Sequence, residues 1–323
     1  MSNKSSGFVG DLTNWARGLC MGAADIVPGV SGGTMALILG HYERLIRAIS
    51  RIDTKFLGML ASRDFARAAL YIDLRFLLGL VAGIGSGILG LASLMHYLLE
   101  HQQAYTYAVF FGLILASSYL VTCRLKKWTP ACIVTTAVGA VAAWQLCILN
   151  PGQTPLTPLT AFAAATIAIC AMILPGISGA FVLLLFGLYH PITSLIKGIP
   201  HGEFTADGLY IIAAFGAGCG VGLLSFTRLL KWMLAHKHDI TMAFLVGLML
   251  GSLVKIWPYQ RVTAATAELP FKDKRFELMW PTPDIANLAW VIGLAVLAGG
   301  LTLLLEFAGK RLSAEITQPS CES

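Results

Sequence analysis

The chain has 323 residues, of which 56% are hydrophobic and 12% charged, and its mean hydropathy is +0.73. That composition excludes an ordinary soluble domain and indicates an all-α polytopic membrane protein. The formal charge of +6 is then read as loop charge at a membrane surface, which argues against a nucleic-acid partner.

The first residues are polar and the segment after them carries Asp11, Arg17 and Asp25, so no cleavable signal peptide is expected. This first segment, about 8–49, is interrupted by Asp25-Ile26-Val27-Pro28-Gly29-Val30-Ser31-Gly32-Gly33-Thr34. Pro28 has no backbone N–H and disfavours helix at the residue before it, so a first half-helix should end near Val27. Ser31 is a good N-cap for a second half-helix from about Gly32 to about His41. Lipid cannot satisfy the backbone groups freed at such a break, so the break must be buried in protein or line a cavity.

Next come Arg44, Arg47, Arg51, Lys55, Arg63, Arg67 and Arg75, interleaved with Leu45, Ile49, Ile52, Phe56 and Leu60 at helical spacing. The pattern predicts an amphipathic helix on an anionic leaflet, with anionic phospholipids as partners over 44–75. Spans are predicted over 76–98, 105–123 and 131–149. The turn-forming linker Asn150-Pro151-Gly152-Gln153-Thr154-Pro155 nearly bisects the chain, giving repeats 1–150 and 151–323.

The second repeat copies the first. Pro28-Gly29-Val30-Ser31-Gly32 matches Pro175-Gly176-Ile177-Ser178-Gly179, and Gly40 and Tyr42 match Gly187 and Tyr189 at the same offset of 147. Gly83, Gly85, Gly87 and the run beginning at Gly112 match Gly218, Gly220, Gly222 and the run beginning at Gly247 at an offset of 135. A last span, about 285–307, takes the place of 131–149. Matches in one order across a half of the chain indicate duplication. Each half then holds one broken segment and three plain spans. If the broken segments re-enter, each half crosses three times and the repeats are inverted; if they cross fully, the repeats are parallel. The distribution of Lys and Arg does not separate the two. Re-entrance is preferred because it puts Lys4, Arg17, Lys310 and Arg311 on the cytoplasmic side with both termini, and because paired broken helices of opposite orientation are a known transporter plan.

Several residues carry possible chemistry, each with a plainer structural reading. Ser31 and Ser178 precede half-helix N-termini, which suit anions, phosphate above all; alternatively they only cap. Gly32, Gly33 and Gly179, with Thr34, leave room for a ligand to approach the backbone. Asp25 is an acid inside an apolar segment and is a candidate for proton coupling, as is Glu43; alternatively Asp25 caps the loop's N–H groups. Arg44 and Arg228 are either headgroup contacts, since a guanidinium matches phosphate geometry, or interfacial charges. His41, His190 and Glu306 are read as interfacial. Gly79, Gly83 and Gly87, and Ala214, Gly218 and Gly222, are small residues at four-residue spacing and predict close helix packing. The cysteines (Cys20, Cys123, Cys132, Cys147, Cys170, Cys219 and Cys321) show no metal spacing, so neither a metal nor another cofactor is expected.

The run Gly22-Ala23-Ala24-Asp25-Ile26-Val27-Pro28-Gly29-Val30-Ser31-Gly32-Gly33-Thr34, continued by Ala36-Leu37-Ile38-Leu39-Gly40 and Tyr42-Glu43-Arg44-Leu45-Ile46, resembles the signature of the DUF368 family. Leu174-Pro175-Gly176-Ile177-Ser178-Gly179 does so too, with Ala180 and Phe181 in place of the Gly33-Thr34 pair. The resemblance implies a non-enzymatic polyprenyl-phosphate transporter of the bacterial cytoplasmic (inner) membrane, a flippase returning undecaprenyl phosphate for cell-envelope synthesis. A homo-oligomer is compatible with it. The competing reading is an inorganic-anion channel or exchanger built on the same paired helix N-termini. A hydrolase is disfavoured, because a duplicated serine has no role there.

Overall fold

A computed structural model describes residues 7–26, 31–149, 152–199, 205–266, 268, 274, 276–281 and 285–317. The expected break at Val27, Pro28, Gly29 and Val30 lies outside the described residues, as do Lys4, Asn150, Pro151 and Cys321.

The first half runs α1 (Phe8–Ile26), α2 (Gly32–Ile38), α3 (Tyr42–Ser50), α4 (Thr54–Ala61), α5 (Phe65–Tyr71), α6 (Leu74–His101), α7 (Gln103–Thr122) and α8 (Pro130–Ile148). The second runs α9 (Pro158–Ile173), α10 (Gly179–Leu185), α11 (Tyr189–Gly198), α12 (Ala206–His236), α13 (His238–Ser252) and α14 (Ile285–Thr317). Among the described residues, six helices are long and apolar enough to cross a membrane: α6, α7, α8, α12, α13 with the 3-10 turn that follows it, and α14. The chain is a multi-pass membrane protein. α6, α7 and α8 fall within a few residues of the spans predicted over 76–98, 105–123 and 131–149, and α14 starts as predicted but runs on past 307 to Thr317. The described residues are helical apart from turns and one small antiparallel hairpin, β1 (Gln260–Val262) with β2 (Phe276–Leu278), which the all-α expectation missed.

α7 and α13 form the centre. About half of the α7 span and 61% of the α13 span are buried, against 11–17% in the other four. The outer helices turn large apolar side chains outward, as at Val81, Leu89, Ile133, Leu229 and Val296. Only an apolar exterior of that kind is compatible with hydrocarbon.

Glycines let helix backbones touch. A Cβ at Gly18 would strike the Leu80 carbonyl, one at Gly83 the Trp15 carbonyl, and one at Gly87 the Leu19 carbonyl. α1 and α6 therefore lie side by side in the same direction. α9 and α12 repeat the arrangement through Gly218 on Phe162 and Gly222 on Thr166. The remaining spans exchange partners between halves. α7 packs on α14 through Gly112 and Ala295, and α8 packs on α13 through Gly247 and Thr136 and through Gly251 and Ala140.

Three expectations are corrected. The basic stretch 44–75 is not one amphipathic helix but α3, α4 and α5. Asp53 and Asp64 each cap a new helix by accepting the Phe56 and Arg67 amides, and Arg63 and Asp73 take left-handed backbone angles between helices (φ 59° and 56°). The Phe56 amide and the Tyr71 hydroxyl hold the Asp53 carboxyl below the usual carboxylate range. The second half-helix ends at Ile38, not His41. Gly40 adopts φ +72° and the Gly40 and His41 amides donate to Leu37 and Ala36 carbonyls, which closes the helix. Gly187 has the same φ at the same place in the second half. Finally, Ser178 sits in extended backbone before α10 but makes no side-chain cap bond.

Candidate functional site

The two breaks meet. Ser31 caps α2, its Oγ accepting the Thr34 amide at 3.2 Å. The Asp25 carboxylate, near the end of α1, accepts the Gly32 amide at 2.6 Å. A carboxylate there meets both the free N–H groups and the positive end of a helix. Across the interface the Thr34 hydroxyl accepts the Gly176 amide at 2.8 Å, the Ser31 hydroxyl reaches the Leu174 carbonyl at 3.4 Å, and the Tyr42 hydroxyl donates to the Ile173 carbonyl at 3.1 Å. Side chains of the first break thus satisfy backbone groups of the second, the condition for irregular backbone at membrane depth. Gly176, at φ +88°, lies against the Leu248 carbonyl and the Ser252 hydroxyl of α13.

The glycines at the break are filled by protein. A Cβ on Gly32 would stand 2.9 Å from the Asp25 carboxylate, one on Gly33 2.8 Å from the Ile173 carbonyl, and one on Gly179 2.7 Å from the Ala168 carbonyl. Ser31 and Thr34 are buried. Asp25, Ser31, Gly32, Gly33 and Thr34 therefore form one cluster with the backbone of the second break. Gly179 belongs to the packing of α10 on α9.

The other candidates lie apart from this cluster. Arg44 makes a two-pronged pair with Asp73, at 2.7 and 3.1 Å, and its guanidinium lies 4.2 Å above the Phe76 ring. Glu43 is 3.7 Å from the His238 Nε2. Arg228 donates to the Ile52 carbonyl at 2.7 Å. These contacts hold α3 and the turn after it against the start of α6, the end of α12 and the start of α13. Among the six described cysteines all are free and scattered, and the described residues hold no group of three or more His, Cys, Asp or Glu that would bind a metal ion.

The model of a family described as VCA0040-like, undecaprenyl phosphate translocase-like, matches residues 21–270, which include both breaks. The chain belongs to that family. Among its relatives is the polyprenyl-phosphate transporter of Vibrio cholerae serotype O1, 36% identical over 304 residues, covering 91% of this chain and 95% of the relative. The polyprenyl-phosphate transporter of Staphylococcus aureus is 32% identical over 257 residues, covering 76% and 86%. No solved structure matches the chain. The family membership fits a transporter.

Sequence reasoning did not select four residues: Tyr42 and Lys255, which touch the second break, His41, which lies against Met21, and Arg17, about 12 Å along α1 from Asp25. Arg17 and Lys255 carried a usable signal, since each is a cation inside an apolar run. Tyr42 did not, because its partner carbonyl at Ile173 is 131 residues away.

Proposed function

We propose that the chain is a flippase that moves undecaprenyl or another polyprenyl phosphate across a bacterial cytoplasmic membrane, returning the lipid carrier for reuse. The observation that carries this reading is the Asp25 carboxylate on the Gly32 amide, 2.6 Å away, inside the joined breaks. That place already holds an anion, so it suits a phosphate when the carboxylate leaves. Protonation of Asp25 weakens its hold on the amide. It frees the Gly32 N–H, and with Ser31, Gly33 and Thr34 that group receives the headgroup. Proton movement and lipid movement are thereby coupled through one site. Ser178 and Gly179 line the second break as a weaker support. Arg44 and Arg228 act farther out, at the membrane surface, and Glu43 is a secondary proton carrier paired with His238. Exposed Arg47, Lys55, Arg63 and Arg67 attract anionic phospholipids.

Residues 1–150 and 151–323 act in this reading as inverted repeats with re-entrant hairpins. Local contacts support it. The Gly152 amide donates to the Leu185 carbonyl at 2.7 Å, so α10 ends beside the linker that leads into α9. In the first half Asp11 pairs with Arg75 at 2.6 Å and Arg44 with Asp73, so α1 begins and α2 returns beside the start of α6.

Purified protein in vesicles tests the function. Exchange of polyprenyl phosphate between leaflets, together with chloride and inorganic phosphate uptake, is measured in the same vesicles. Lipid exchange without anion uptake is expected. Saturating anion uptake with no lipid exchange would favour the channel reading and refute the flippase.

A further inference from the structure

Two cations inside apolar segments have no anionic partner among the described residues. Arg17, on α1, is half-buried and makes no hydrogen bond or ion pair among the described residues. It lies six residues beyond Asp11, about 9 Å deeper along the helix than the Asp11–Arg75 pair. Asp25 is eight residues farther on, about 12 Å. Met21, one turn after Arg17, touches the His41 Nε2 at 3.3 Å, and the charges of Arg17 and Arg44 both act on His41. His41 is 2% exposed.

Lys255, in the 3-10 turn after α13, is the second such cation. It too is half-buried, with no hydrogen bond from Nζ and no ion pair among the described residues. Its Nζ lies 4.6 Å above the ring of Phe181, in the first turn of α10. An aromatic face eases the charge but accepts none of the three N–H bonds of an ammonium. Cys147 is a titratable neighbour, but a thiol is largely uncharged near neutral pH. Phe181 stands where the first half has Thr34, so the second break offers a perched cation where the first offers a hydroxyl.

The two cations are on opposite sides of the breaks. His238 opens α13 and lies beside Glu43, on the side from which Arg17 is reached. Lys255 is seventeen residues later, about 25 Å along the axis. It leads into Trp257 and the β1–β2 hairpin.

We infer that Arg17 and Lys255 are two phosphate stations, one on each side of the joined breaks, that hold a phosphomonoester headgroup in turn before and after it passes Asp25. A buried cation with no counter-charge is costly in a membrane, and a visiting anion relieves that cost. A guanidinium and an ammonium both donate strong bonds to phosphate oxygens. This inference rests on the transporter reading above.

The test uses purified full-length protein with three probes: a short-chain polyprenyl phosphate, the matching uncharged polyprenol, and inorganic phosphate. Arg17→Gln and Lys255→Gln should each weaken binding of the lipid phosphate about tenfold, the loss of one charged bond, with polyprenol binding unchanged. Arg17→Lys and Lys255→Arg should recover most of the loss, which separates a lost charge from a damaged fold. Unchanged lipid-phosphate affinity in both glutamine variants overturns the stations. A parent protein that binds polyprenol as tightly as its phosphate refutes the transporter reading instead. Inorganic phosphate that displaces the lipid at equal affinity, and loses that ability in both glutamine variants, keeps the stations and overturns their lipid occupant. In a cysteine-free background, Arg17→Cys and Lys255→Cys should react with a membrane-impermeant thiol reagent from opposite faces. Reaction from one face only overturns the two-sided arrangement.

Discussion

Asp25 is the residue on which the most chemistry converges. Its carboxylate accepts the Gly32 amide, and the asparagine oxygen of Asp25→Asn can accept the same bond. That variant should therefore fold and bind lipid phosphate, yet lose any acceleration of exchange by a pH gradient. An unchanged gradient-driven rate would leave Asp25 as a cap on the loop. The two serines should differ. Ser31 accepts the Thr34 amide, so Ser31→Ala should cost about 1 kcal/mol in unfolding free energy. Ser178 makes no cap bond, so Ser178→Ala should stay within about 0.5 kcal/mol. Thermal unfolding of the two variants compares them directly, and equal losses would refute the asymmetry. Ser31 and Asp25 were legible in the sequence: one is a capping residue after a Pro-Gly turn, the other an acid in an apolar run. What Asp25 bonds to was open between two readings, and the short contact to Gly32 adds the capping bond without removing a proton role. The pairing of Thr34 with Gly176 was not legible, because nothing local to either residue encodes a contact between halves 142 residues apart.

At the scale of elements, glycine position separates touching helices from exposed ones. Gly83 and Gly218 face the carbonyls of Trp15 and Phe162, whereas Gly85 and Gly220 have no atom within 4 Å of an added Cβ. Gly83→Leu and Gly218→Leu should each destabilise by about 1–3 kcal/mol or more through overpacking. Gly85→Leu and Gly220→Leu, on the lipid side of the same helices, should be tolerated. Unfolding in detergent measures all four, and equal sensitivity at Gly83 and Gly85 would contradict the packing of α1 on α6. The four-residue glycine spacing predicted this contact correctly, since close backbone approach is a local requirement of the helix face. The basic stretch was misread for the opposite reason. Its apolar residues keep helical period through 45–60, but Asp53 and Asp64 stop and restart the helix by bonding the next amides. Periodicity outweighed those caps in the reading, although both acids were visible.

The whole molecule follows from tracing ends. α1 and α6 start together, and α7 turns back after the single residue Gln102. α8 lies parallel to α13, whose first residue is beside Glu43, and the Lys127 amide donates to Asp239 at 3.3 Å. The turns near 51–53, 123–129 and 237–239 therefore share one end with the start of α1. α9 begins after α8 has run to the other end, and it starts together with α12. The partner exchange of α7 with α14 and α8 with α13 was not legible, since each proposed repeat reads as a unit by itself. That exchange means the halves share one core around α7 and α13. The arrangement makes a definite labelling prediction in a cysteine-free background. Ser62→Cys and Lys126→Cys should react with an impermeant reagent from the same face, which the basic residues of α3 to α5 assign to the cytoplasm. Gln153→Cys should react only from the opposite face. Gly7→Cys, just before α1, should react from the Ser62 face, which would have α1 and α9 enter from opposite faces as the inverted reading requires. Labelling of Gly7→Cys from the Gln153 face would instead require the first half to cross an even number of times, and would replace the inverted repeat with a parallel one.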